Sequence, residues 1–274
     1  MRDAGHAEGK DFVVEARYAN GKGERLAALA AELVKLKVDV IVATGTPATR
    51  AAQRATSTIP IIITIAADPV ADGFAASLAR PGGNITGLSA SSSELGDKYF
   101  ELLTASIPKL SRVGVLMNPD NPGHAGQLKH MQEAARKAGI RTLAVHGATP
   151  EAIAAGFAGM ESSGAQACII LGDTFFVQQV AQIAGLAAMR RLPSIYPMRE
   201  FPEAGGLISY GPDVIENFRR AATYVDRVLK GAQPQDLPIE QPAKFELVVN
   251  LKTAKTLGVR IPPPLLVRAD KVIE

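Results

Sequence analysis

Short β-branched runs alternate with segments of helical period along most of this chain, and that alternation limits the possible folds more than any other feature. Val38-Asp39-Val40-Ile41-Val42-Ala43 follows Glu24 to Lys37, where Leu26, Leu29, Ala30, Leu33 and Leu36 recur at helical spacing. The same reading predicts a helix from Thr46 to Ala55, a strand from Ile59 to Ile65, and a short helix from Gly73 to Ala79 closed by Arg80-Pro81-Gly82-Gly83-Asn84. After a strand over Ile85 to Ser89, a second series opens. It comprises helix Glu94 to Ser106, strand Arg112 to Met117, helix His124 to Ala138, strand Arg141 to Val145 and helix Pro150 to Met160. Strand Ala167 to Leu171, helix Phe175 to Arg190, and strands Ser194 to Tyr196 and Leu207 to Tyr210 follow. Helix Val214 to Lys230, the Pro-marked stretch Gln233 to Pro242, strand Phe245 to Asn250, helix Leu251 to Leu257 and a Pro-rich tail close the chain. Such alternation predicts an α/β protein whose parallel sheets are covered on both faces.

With 274 residues, two lobes of ordinary size fit better than one large core, because single cores stop growing beyond ~250 residues. A hydrophobic fraction of 47% excludes a disordered chain, and 30 basic against 27 acidic residues, dispersed along the sequence, do not point to a nucleic-acid surface. The single cysteine, Cys168, lies in the apolar run Ala167 to Leu171 and reads as a small core residue. No apolar run approaches the ~20 residues that span a bilayer, and Met1 to His6 lacks the apolar stretch of a secretion signal.

In parallel α/β sheets, ligands bind beyond the carboxyl ends of the strands, where the following helices present free N–H groups. Thr44-Gly45-Thr46-Pro47-Ala48 is such a turn: Gly45 permits close backbone approach, Thr46 can cap, and Pro47 suits the first helical turn. It is either an ordinary capped helix start or an anion-holding loop. Ala66-Ala67-Asp68-Pro69, Asn118-Pro119-Asp120-Asn121-Pro122-Gly123 and Gly172-Asp173-Thr174 share that address, each with a side chain able to cap a helix or face a ligand. Tyr196 and Tyr210, at strand ends, are candidate aromatic walls or local packing residues.

Catalytic signals are weak by comparison. The histidines at 6, 124, 130 and 146 lack metal-ligand spacing, so no metal site is expected. There is no Walker A loop, dinucleotide fingerprint or nucleophile elbow, and Ser91-Ser92-Ser93 reads as a helix cap ahead of Glu94. No catalytic residue and no cofactor is assigned. Polar groups suited to holding a small molecule, without an activated one, favour binding over turnover.

The block Leu78-Ala79-Arg80-Pro81-Gly82-Gly83-Asn84-Ile85-Thr86-Gly87-Leu88-Ser89, together with Phe245-Glu246-Leu247-Val248-Val249-Asn250-Leu251-Lys252-Thr253-Ala254-Lys255, resembles the ABC-transporter substrate-binding family that includes tryptophan and tyrosine binders. The resemblance extends to Val38 through Pro47 and to Ile261 through Asp270. It implies a type I periplasmic binding protein: two Rossmann-like lobes with parallel sheets, joined by crossover strands and closing on a ligand in the cleft. The lobes would comprise residues 1–88 with about 212–240, and 89–211 with about 241–274. Gly45, Thr46, Asp68 and Ser89 would serve the ligand from the first lobe, and Asn118, Asn121, Asp173, Thr174, Tyr196 and Tyr210 from the second. The implied ligand is an aromatic or branched amino acid or related small carboxylate, the implied partner an ABC permease, and the implied location periplasmic or otherwise extracytoplasmic. Where many relatives carry Asp-Asn in the third loop, this chain has Asp173-Thr174, which shortens that loop's polar reach.

The resemblance also implies that a secretion signal and the first βα unit lie upstream of Met1, so that the first sheet of the chain as written lacks a central strand. Poor folding or self-association is then expected, with solubility and thermal midpoint rising once an upstream strand is restored. Two other classes share the two-lobed design. An amino-acid racemase would want an acid/base group on each side of its substrate, and the effector-sensing body of a transcription regulator would want a basic helix-turn-helix, which does not precede residue 11.

Overall fold

Continuous apolar strands force burial of both sheet faces, and the computed structural model meets that demand twice. It describes residue 1, residues 5–90 and residues 92–274, with the side chains of residues 92–94 set aside. Two compact units result: Met1–Ala90 with Val214–Pro242, and Ser91–Asp213 with Ala243–Glu274.

The first unit contains helix α1 (Leu26–Lys35), β1 (Ile41–Thr44), α2 (Thr46–Ala55), β2 (Ile61–Ile65) and β3 (Ile85–Gly87). The strands form a parallel sheet of order β1-β2-β3, so all three carboxyl ends lie on one edge. Side chains alternate as a pleat requires. Ile41, Ala43, Ile61, Ile63 and Ile85 enter one cluster with Leu33, Val34 and Phe74, while Ile62 and Leu88 enter another with Ala221, Tyr224 and Leu237.

The second unit carries α3 (Ser92–Ser106), β4 (Arg112–Met117), α4 (His124–Lys137), β5 (Arg141–His146), α5 (Pro150–Ser162), β6 (Ala167–Ile170), α6 (Thr174–Gln178), α7 (Val180–Met189) and β7 (Ser194–Tyr196). It continues through α8 (Glu200–Glu203) and β8 (Ile208–Pro212). Helix α9 (Val214–Leu229) belongs to the first unit, and β9 (Phe245–Asn250), α10 (Leu251–Leu257), α11 (Pro263–Arg268) and β10 (Lys271–Ile273) complete the second. Its sheet order is β10-β9-β8-β7-β6-β4-β5, parallel except that β9 runs antiparallel to β8 and carries β10 with it. Val113, Val115 and Ile169 pack on one face; Leu116, Cys168 and Ile170 pack on the other.

Several expectations need correction. Residues 73–79 form turns, not a helix: Gly73 is left-handed at φ 69°, Phe74 and Ala75 donate to the Pro69 carbonyl, and Ala76 donates to that of Pro81. The strand expected from Val38 starts only at Ile41, because Lys37 adopts φ 56° after α1 and the next residues carry the chain across. The helix expected over Phe175 to Arg190 is two, broken at Gln179, whose N–H returns to Phe176 in a three-residue turn. Pro263 and Pro264 occupy the first turn of α11, where a missing N–H costs nothing. Of the expected Ser91-Ser92-Ser93 cap, Ser91 and the side chains of Ser92 and Ser93 lie outside the described residues, and α3 starts at Ser92. Among the described residues, no helix is long and apolar enough to cross a membrane.

Candidate functional site

Parallel pairing brings the polar loops of each sheet to one edge. In the first unit, Gly45 takes φ 85° and ψ 157°, a conformation that favours glycine, and starts α2 without a side-chain cap. Thr46 is buried; its hydroxyl donates to Asp72 Oδ2 at 3.2 Å and accepts the Ala67 N–H at 3.3 Å, tying the loops after β1 and β2 together. Asp68 accepts from the N–H groups of Val70 and Ala71 and so closes its own turn. Ser89, just beyond β3, is 3% exposed and its hydroxyl has no hydrogen-bond partner, while its N–H donates to Glu240 and the next N–H, of Ala90, donates to Ala66. A buried hydroxyl without a partner is costly unless something else fills the gap.

Asp72 and Arg50 were not legible as members of this edge. Arg50 donates to the Asp72 carbonyl and sits 4.6 Å from the Phe74 ring centre, and burial raises the Asp72 carboxyl pKa against the opposing pull of Thr46 and Arg50.

The second unit assembles a tighter cluster. Asp173 is the N-cap of α6: Oδ1 accepts the Phe175 N–H at 2.8 Å and the Phe176 N–H at 3.3 Å. The same carboxylate accepts from Asn118 Nδ2 at 3.3 Å and Asn121 Nδ2 at 2.8 Å. Each asparagine also folds its own loop, Asn118 Oδ1 accepting from Asp120 N and Asn121 Oδ1 from Gly123 N, both at 3.0 Å. One carboxylate thus caps α6 and gathers the two asparagines. The loops after β4 and β6 meet because those strands are direct neighbours.

Thr174 is exposed, one residue beyond the cluster. Tyr196 is buried at 0% exposure and stacks on Phe201 with ring centres 4.6 Å apart, the local packing that was one of its two readings. Tyr210 lies elsewhere in the unit, stacked on Phe245 at 5.4 Å beneath Lys98, in a hollow of about 330 Å³ also lined by Leu95, Asp97 and Glu101.

The sequence spacing of His124 carries no signal for its role, which comes from tertiary contacts. It is fully buried at the start of α4; Nδ1 accepts the Asn118 N–H at 2.8 Å, and Nε2 donates to the Gly172 carbonyl at 3.0 Å. Burial lowers its pKa, opposed by the Asp173 charge. The sign of the pH effect follows. The unfolded chain takes up a proton near the ordinary value of 6.5 while the folded unit resists, so stability is full above pH 6.5 and declines as pH falls below it. Thermal unfolding followed from pH 8 toward pH 5 is expected to show that decline in the wild type and a flatter profile in His124→Asn, over the range where histidine titrates.

Among the described residues, no group of three or more His, Cys, Asp or Glu could hold a metal ion. Cys168 is buried, and its thiol pKa is pushed up by desolvation, which leaves it protonated and inert.

Residues 1–273 match the family described as ABC transporter substrate binding protein. A tyrosine-binding protein of Clostridioides difficile (strain R20291) is 26% identical over 260 residues, covering 95% of this chain and 74% of that protein. A conserved domain protein from Vibrio cholerae O1 biovar El Tor superimposes with a TM-score of 0.93 at 26% identity, over 99% of this chain and 90% of the other. An ABC domain in complex with L-Trp from Streptococcus pneumoniae gives 0.87 at 26% identity, over 92% and 85%.

Proposed function

Because the chain belongs to the ABC transporter substrate binding protein family, we propose that it holds a small amino acid, aromatic or branched, for an ABC importer and does not transform it. The observation that carries this reading is the buried Asn118–Asn121–Asp173 cluster at the carboxyl end of a parallel sheet. Each asparagine amide gives one N–H to Asp173 and keeps a second for a ligand carboxylate. Asp173 Oδ2 accepts from Asn121, and a further lone pair suits an ammonium. Tyrosine and tryptophan are the first compounds to try, since a related protein is named for the one and a similar structure holds the other. The reading includes an extracytoplasmic location and a permease partner, as in other importers of this kind. The inert Cys168 thiol supports binding over racemisation.

A thermal-shift screen of the common amino acids tests the proposal. A ligand that binds only the folded state, present at about 100 times its Kd, adds ~2.7 kcal/mol. Tyrosine, tryptophan or a branched amino acid is expected to raise the midpoint; a flat response to all of them would sink the proposal.

Gly45, Thr46, Asp68 and Ser89 are proposed as ligand contacts of the first unit. Ser89→Ala discriminates a ligand contact from packing. Removing a partnerless buried hydroxyl is expected to change stability by less than about 1 kcal/mol, while affinity falls about tenfold if the hydroxyl bonds the ligand. Chemical denaturation and calorimetry on the same variant read the two effects separately.

A further inference from the structure

Among the groups of the second unit, His124 is a buried titratable side chain that the proposed ligand contacts do not use. Its ring joins two loops, accepting from Asn118 N after β4 and facing the Gly172 carbonyl after β6. A backbone N–H can only donate, so Nδ1 carries no proton and the ring is the neutral Nε2–H tautomer. The residues at the two ends of this bridge are those proposed to meet the ligand: Asn118 itself, and Asp173 directly after Gly172.

We propose that His124 is a positioning residue for the ligand site: in its neutral Nε2–H form it latches the Asn118 loop to the Gly172-Asp173 loop, and protonation at Nδ1 opens the latch and weakens ligand binding. The proposal rests on the reading that Asn118, Asn121 and Asp173 hold the ligand.

A doubly protonated ring is donor-only, so Nδ1–H would face the Asn118 N–H, donor against donor, and the bond at 2.8 Å could not persist. Asn118 would then lose the anchor that aims its amide at Asp173. The charged group facing the ring is Asp173, with Oδ2 3.9 Å from Nε2. Helix α6 presents the neutral Phe176, its ring centre 6.1 Å away, and the loop before α4 presents the neutral Asn118 and Asn121. Asp173 favours the proton and burial opposes it. Burial prevails, so the latch opens on the acid side of ordinary histidine.

The test uses calorimetry with the amino acid that stabilises the wild type, from about pH 7.5 to about pH 5, a range in which the ligand's own carboxylate and ammonium do not titrate. Wild-type affinity is expected to fall toward acid as His124 takes up its proton and the hydrogen bond from the Asn118 N–H to the neutral ring is lost. His124→Asn can keep an acceptor for Asn118 N–H but no proton site. It is expected to bind several-fold more weakly at neutral pH and to show no acid limb. His124→Gln can keep the donor to Gly172 and lose the acceptor, and is expected to bind more weakly still. An acid limb in His124→Asn equal to that of the wild type would overturn the proposal.

A second measurement needs neither a variant nor a ligand. In the wild type, NMR of the His124 ring nitrogens and hydrogen exchange of the Asn118 amide are followed together, with circular dichroism confirming that the fold persists. The Asn118 amide is expected to lose protection as His124 protonates; constant protection through that titration would overturn the latch. Absence of any amino-acid binding at neutral pH would instead contradict the proposed function, and the exchange experiment would still decide whether His124 links the two loops.

Discussion

Asp173→Ala is expected to destabilise the second unit by about 2–4 kcal/mol and to remove amino-acid binding. One carboxylate accepts from two asparagine amides and two backbone N–H groups at the start of α6, and all four donors lose that acceptor together. Loss of an N-cap costs about 1 kcal/mol, and each buried donor left without a partner about 1–3, reduced where solvent or rearrangement supplies a substitute. Asp173→Asn separates the two consequences. Its Oδ1 can still cap α6 and accept from Asn118, but its NH2 group, in place of Oδ2, confronts the amide of Asn121. A smaller loss of stability, about 1–2 kcal/mol, is expected together with the same loss of binding. Denaturant unfolding and ligand titration of both variants check this. If Asp173→Asn bound ligand as the wild type does, the carboxylate would be a cap and nothing more.

Gly87→Ala is expected to be as damaging in the first unit, for a different reason. Gly87 ends β3 with φ 128°, a conformation that L side chains rarely adopt, and a Cβ there would lie 2.6 Å from Ile63 N and closer still to Ile63 O on the paired strand β2. Backbone strain of about 1–3 kcal/mol and a comparable packing penalty sum to about 2–6 kcal/mol. Gly83→Ala, close by in the same block with nothing near its Cβ position, is expected to be nearly neutral. Comparing urea midpoints of the two variants tests the requirement at a single position. Equal midpoints would show that β2 and β3 do not approach as closely as described.

The strands that form the sheets were legible because they are continuous apolar runs bounded by turn residues: Phe245–Asn250 and the helices Thr46–Ala55 and Leu251–Leu257 have the bounds that periodicity predicts. Asn118, Asn121 and Asp173 were legible as loop residues at strand ends, since parallel pairing sends such loops to one edge. What each touches was not, because the partners lie more than 50 residues apart in the chain. For Tyr196 the sequence left packing and ligand wall open, because a strand's last residue can point into the core or out of it, and the stacking on Phe201 is a tertiary contact. His124 was hidden for a related reason: its partners are backbone groups, which no side-chain motif records. The first turn of α11, by contrast, carried a readable signal in Pro263 and Pro264.

The central claim, that this chain grips an amino acid and returns it unchanged, is tested most directly by titrating the purified protein with L-tyrosine and L-tryptophan in a calorimeter and then recovering the ligand for chiral chromatography. The account predicts saturable binding of at least one of them, with all of it recovered as the L form. Recovery of a D-enantiomer or any other product, or no binding heat from either compound across the accessible concentration range, would contradict it.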